Sequence, residues 1–164
     1  MGFWKCVIYL CVTGTVGFFG GRMISKKQFN PSRGIFRCHK WEQGGKIYEK
    51  LSIRKWHKRL PDMSRILPFM MPQKNLSGDY AKRLPEMISE TCVAEIVHIA
   101  ISLMGLYCLH LWPGAGSVVI VLLHSLLLNL PFIIIQRYNR PRLIRLQDKL
   151  QKSKTSTERS CNPS

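Results

Sequence analysis

The sequence predicts an all-α integral membrane protein with about three transmembrane helices and a basic amphipathic helix at the membrane surface. Three observations predict it. The apolar residues of the 164-residue chain are gathered into blocks at about 3–21, 92–112 and 117–135, and about 20 residues of helix cross a hydrocarbon core of about 30 Å. Net charge is +16, and all of the charged residues but Lys5 and Glu95 lie around the blocks rather than in them. The second and third blocks are joined by the uncharged stretch Pro113-Gly-Ala-Gly-Ser117, which has room only for a hairpin turn.

The first block, within residues 1–21, is interrupted only by Lys5. A cleaved signal peptide is the alternative to a retained helix or signal anchor. The stronger charge follows the block, at Arg22, Lys26 and Lys27. Signal peptides carry charge in front, so the retained helix is favoured. Gly14, Gly17, Gly20 and Gly21 suit close packing on a neighbour.

Residues 22–91 form a basic region. Sixteen of the 25 Lys and Arg residues lie between 22 and 90, against six acidic ones. Within it, 46–60 has helical periodicity, with Tyr48, Leu51, Trp56 and Leu60 as an apolar stripe and Lys and Arg opposite. Pro61 ends it. Such a helix suits the headgroup region and anionic lipid. Packing against protein is the other reading. Pro61, Pro68, Pro72 and Pro85 mark a loop from 61 to 85.

The hairpin occupies 92–136. Arg137, Arg140, Arg142 and Arg145 follow at once and predict a basic helix over 137–151. The Ser/Thr/Lys-rich tail 152–164 predicts disorder. Heavy charge after blocks one and three, and none between two and three, predicts a multi-pass membrane protein with its basic regions cytoplasmic. None of the six cysteines forms a CxxC pair or a zinc-like spacing, so all are read as unpaired and no metal is expected.

Ionisable groups within a span are functional candidates because they are costly there unless paired. Glu95 and His98 stand three apart on one helix face. Asn129, Gln136 and Arg140 share a face of the third block. Antiparallel pairing brings Glu95, His98, Asn129 and Arg137 or Arg140 to one depth near the basic end. In a catalytic reading, Glu95 orients His98 as a base and Asn129 donates to an oxyanion. The arginines then grip donor phosphates. The same geometry equally suits a network that only fixes packing. His110 and His124 read as interfacial or packing residues. Walker, GxSxG and dinucleotide motifs are lacking, and the basic region holds no nucleic-acid reading motif.

The run Glu90-Thr91, Ala94-Glu95 and His98, followed by Asn129-Leu-Pro131 and Gln136-Arg-Tyr-Asn-Arg-Pro-Arg-Leu143, resembles the glycosyl-4,4'-diaponeurosporenoate acyltransferase family of bacterial membrane proteins. Gly45-Lys46, Tyr48 and Ile53-Arg-Lys-Trp56 fit the family's basic Trp-containing segment, and the likeness covers about residues 40–146. It implies acylation of a sugar hydroxyl on a glycosylated carotenoid, the last step of staphyloxanthin-type synthesis, or on another membrane glycolipid. The donor it implies is an acyl thioester, acyl-CoA or acyl-carrier protein, with no other cofactor. His98, Glu95 and Asn129 are then the catalytic candidates. Gln136, Arg137, Asn139, Arg140, Arg54, Lys55 and Trp56 are the substrate-binding candidates. The competing expectation is a non-enzymatic membrane adaptor that holds anionic lipid headgroups or an acidic partner on its basic region.

Overall fold

The computed structural model describes residues 1–26, 29–56 and 80–161. Helix α1 is Gly2–Met23. Two 3-10 stretches follow, Gly34–Phe36 and Lys40–Leu51, and then the single turn α2, Ile53–Trp56. Helix α3 is Tyr80–Gly105, α4 Cys108–Leu111 and α5 Ala115–Leu123. A π-helical turn, His124–Asn129, leads into the long helix α6, Leu130–Cys161. No strand occurs among the described residues. Three stretches are long and apolar enough to cross a membrane: Gly2–Met23, Lys82–Leu111 and Ala115–Ser153.

The spans lean on one another through small residues, because lipid tails supply no hydrophobic drive for helices to associate. Gly17 and Gly21 lie one turn apart on α1 and face α3. A Cβ on Gly17 would stand 2.6 Å from Ile101, and one on Gly21 2.8 Å from Val97. Gly14 and Gly20 have nothing within 4 Å, so only two of the four glycines serve this contact. At the end of α1, Lys26 bonds Glu86 and Glu90 of α3, both at 2.8 Å. At the other end Trp112 fills the space beside Gly2 and Gly116, next to a small core of Cys6, Cys108 and Val121. The N-terminus of α1 therefore lies at the hairpin end of the molecule.

A second core, Tyr48, Ile53 and Tyr138, joins the 3-10 segment to α6. Here the expected amphipathic helix over 46–60 is corrected. Lys46 to Leu51 finish a 3-10 stretch, Ser52 takes a left-handed conformation at φ 52°, and α2 starts afresh at Ile53. The break shifts the period, so Ile53 is buried while Leu51 is 53% exposed. Residues 57–60 of that expectation lie outside the described residues. Upstream, Gln43, Gly44 and Gly45 all have positive φ and reverse the chain. Gly45, at φ 89°, sits where a Cβ would meet the Tyr138 carbonyl at 3.2 Å. Glycine is thus needed twice over, for conformation and for space.

Two further expectations change. The basic segment 137–151 is no separate helix but continues α6. The helix also runs on to Cys161, past the predicted loss of order at 152. Gln, Lys and Glu are good helix formers, and no Gly or Pro interrupts 142–161. The π turn has a local cause at Pro131. It has no N–H to return to residue 127, and its ring crowds that carbonyl, so the preceding turn widens.

Substituting Leu at Gly17 or Gly21 should overpack the α1–α3 contact and cost about 1–3 kcal/mol. Gly14→Leu and Gly20→Leu should be near neutral. Thermal unfolding midpoints in detergent separate the two pairs.

Candidate functional site

Thr91, Glu95 and His98 stand on α3 at helical spacing, so one face carries all three. Glu95 is fully buried. Its carboxylate accepts from Arg137 Nε at 2.7 Å and from Arg140 Nη2 at 2.5 Å. Arg137 also donates to Glu42 at 2.9 Å and to the Ile35 carbonyl at 2.6 Å. Arg140 donates to Thr91 Oγ1 at 2.8 Å, to the Thr91 carbonyl at 3.0 Å and to the Phe36 carbonyl at 2.9 Å. Phe36 covers the Arg140 guanidinium, 5.4 Å from its ring centre. Two carboxylates thus neutralise two guanidinium groups, and further donors find three carbonyls and a hydroxyl. That satisfaction is what makes buried charge tolerable.

Glu42 comes from the glycine-reversed 3-10 segment and is 1% exposed. Burial alone would raise its carboxyl. Hydrogen bonds from Tyr48 Oη at 2.5 Å, from Arg137 and from the His39 N–H at 2.6 Å outweigh burial and hold it below the usual carboxylate range. The Tyr48 hydroxyl moves the opposite way: burial and the adjacent Glu42 carboxylate push it up.

His98 belongs to a second, adjacent group. Its Nδ1 lies 3.0 Å from Asn129 Oδ1. The amide orientation follows from its other end, where Asn129 Nδ2 donates to the His124 carbonyl at 3.0 Å. A carbonyl can only accept, so Nδ2 faces His124 and Oδ1 faces His98. Oδ1 also only accepts, so Nδ1 of His98 carries the proton. That assigns Nε2 as the unprotonated nitrogen. The imidazole is half-buried and stacks on Phe132, with centroids 4.8 Å apart and planes at 7°. The π turn places His124 and Asn129 on one side of the chain, both buried.

The expected roles change accordingly. Glu95 is taken up by the arginines and makes no hydrogen bond to His98; Asn129 orients the imidazole instead. Both ends of the Asn129 amide are engaged within the protein, so it does not face an oxyanion. Arg140 and Arg137 spend most of their N–H groups on protein acceptors. The gripping of donor phosphates expected of them gives way to holding α3, α6 and the 3-10 segment together. Gln136 and Asn139 are half-buried, and their side chains make no hydrogen bond among the described residues. Lys55 is exposed. Trp56 bonds the Leu51 carbonyl at 2.8 Å and packs against the second core, so it acts in folding. The Arg54 side chain lies outside the described residues. Among those residues no cluster of three His, Cys, Asp or Glu is placed to hold a metal ion.

Sequence reasoning missed Glu42, Phe132 and the engagement of His124. Glu42 had a signal: it stands three residues after His39 and directly before Gln-Gly-Gly, a start-and-turn pattern. His124 had none, because its approach to Asn129 depends on the π turn.

The family model for glycosyl-4,4'-diaponeurosporenoate acyltransferase matches residues 32–149. That stretch contains all of the polar groups just described. Proteins of that name from Staphylococcus aureus strains bovine RF122 / ET3-1 and MRSA252 are each 31% identical over 127 residues, covering 77% of this chain and 76% of theirs. The protein of that name from strain USA300 shares the same identity and coverage. No solved structure matches the chain.

Glu95→Ala leaves buried guanidinium groups short of counter-charge and should cost about 3–5 kcal/mol, read as a lowered unfolding midpoint in detergent. Glu42 contributes stability above its unfolded pKa of about 4.3, and the contribution is lost as pH falls through its lower folded value. The wild type should therefore lose stability below about pH 4 more steeply than Glu42→Gln, in unfolding midpoints taken across that range.

Proposed function

Because the chain belongs to the glycosyl-4,4'-diaponeurosporenoate acyltransferase family, we propose that it moves a long-chain acyl group from a thioester donor to a sugar hydroxyl of a glycosylated carotenoid, with His98 Nε2 as general base. Membership of an enzyme family sets aside the purely adaptor reading of the basic region. The observation that carries the proposal is the Asn129–His98 hydrogen bond at 3.0 Å. It commits the proton to Nδ1 and leaves Nε2 as the basic nitrogen of a half-buried imidazole.

The chemistry then needs few parts. The acceptor hydroxyl gives its proton to His98 Nε2 as its oxygen attacks the thioester carbonyl. The tetrahedral intermediate collapses, the C–S bond breaks, and the thiolate takes the proton back from the imidazolium. The products are the ester and a free thiol, and His98 returns to its starting tautomer. Asn129 supports the cationic stage, because an amide oxygen facing Nδ1–H stabilises imidazolium without fully neutralising it. Phe132 holds the ring plane.

The acceptor is membrane-embedded and reaches the base sideways from the bilayer. The donor approaches at the basic end. There a small cleft lined by Pro31, Phe36, Cys38, Glu42, Arg137 and Arg140 opens over the ion network. By the charge distribution that end is cytoplasmic, where acyl-CoA or an acyl-carrier protein is supplied.

His98→Ala should lower kcat by about 10²–10⁴-fold while the protein still inserts and purifies as a folded species. Activity close to wild type would show the imidazole to be a packing group. Asn129→Leu removes the acceptor that fixes the Nδ1–H tautomer and should lower kcat at least tenfold with the fold retained. Acyl transfer from acyl-CoA to a glycosylated acceptor in proteoliposomes, followed by mass spectrometry, reads both.

A further inference from the structure

Gln136 and Asn139 are polar, sit at the edge of the third span and are half-buried. Other polar side chains of the same stretch are partnered: Asn129 with His98 and His124, Arg137 with both glutamates, Arg140 with Thr91 and Glu95. The two amides alone in this set have no hydrogen-bond partner among the described residues. An amide left without a partner near hydrocarbon is costly, and such residues in spans mark ligand pathways.

Their position on α6 is specific. At 3.6 residues per turn, Gln136 is rotated about 40° from Phe132 and Asn139 about 20° the other way. All three therefore share one face, and Phe132 is the residue that stacks on His98. At 1.5 Å per residue, the amides lie about 6 and 10 Å along the helix from Phe132, towards the basic end. They form a short polar ladder beginning beside the base.

The chemistry of the ladder narrows the ligand. Each amide offers two N–H donors and a carbonyl acceptor and has no charge. An anion would call for cations, and the adjacent Arg137 and Arg140 are already committed within the protein. An acyl chain or a polyene offers nothing to bond. A neutral ring of adjacent hydroxyls, each both donor and acceptor, matches both amides.

We propose that Gln136 and Asn139 form a sugar-hydroxyl subsite of the acceptor, holding its glycosyl ring between His98 and the basic end of α6. This rests on the acyl-transfer reading for its biological meaning. It fixes the polarity of the bound acceptor: sugar towards the basic end, hydrocarbon towards the hairpin end. The amides position the sugar, and the proton transfer remains with His98.

The test separates binding from chemistry. In proteoliposomes of His98→Ala protein, equilibrium binding of a long-chain n-alkyl glucoside is compared with that of the n-alkanol of equal length. Adding Gln136→Leu and Asn139→Leu, substitutions a membrane helix tolerates, should weaken glucoside binding at least tenfold and leave alkanol binding unchanged. Equal glucoside affinity with and without the leucines overturns the proposal. So does an equal loss for glucoside and alkanol, which would make the amides part of helix packing. In the His98 wild-type background the same pair should raise KM for the glycosylated acceptor at least tenfold with kcat nearly unchanged. Should His98→Ala prove active, the base assignment fails while the glucoside measurement still decides the subsite.

Discussion

A carboxylate with no exposure to solvent, two arginines on the facing helix and a second carboxylate delivered by a loop hold the basic end of this protein together. Each group would be prohibitive there alone. Together they are neutral, and four further N–H groups reach the carbonyls of Ile35 and Phe36 and both oxygens of Thr91. The network joins three parts of the chain: α3, α6 and the 3-10 segment. In a lipid environment, where apolar burial contributes little between helices, such a cluster sets which face of α6 meets α3. The placement of His98 against Asn129 and Phe132 follows from that register.

Much of this was readable beforehand, for physical reasons. Span lengths follow from bilayer thickness. The pairing of blocks two and three follows from a hairpin too short for any other path, and antiparallel pairing put Glu95, His98, Asn129 and the arginines at one level. Two kinds of information were not in the pattern. Ionic partners are chosen by proximity within a few ångströms, and helical spacing cannot say whether Glu95 turns to His98 or to the arginines. A break in periodicity is equally silent when one residue makes it. Ser52, in a left-handed conformation, moves burial from Leu51 to Ile53, and the widened turn before Pro131 brings His124 round to Asn129.

The molecule keeps its two cores at opposite ends. Cys6, Cys108 and Val121 pack under Trp112 at the hairpin end, and Tyr48, Ile53 and Tyr138 pack at the basic end. Between them most apolar side chains point outward, among them Ile8, Val12, Val16, Leu126, Leu127 and Leu128. That is the expected division of labour in a bilayer, where lipid covers the middle of each span and specific contacts are kept for the ends and for small-residue seams. His98 lies just inside the basic-end contacts, beside the polar network but not part of it.

In the proposed acyl transfer, the depth of that imidazole sets what competes with the acceptor. A thioester attacked in open solvent is lost to hydrolysis, because water outnumbers any alcohol. In that reading, an imidazole a few turns inside a span, half-buried and stacked on Phe132, meets lipids diffusing in two dimensions. Exclusion of water is a recognised means of suppressing side reactions at reactive centres. In the proposed acyl transfer the surrounding bilayer supplies it.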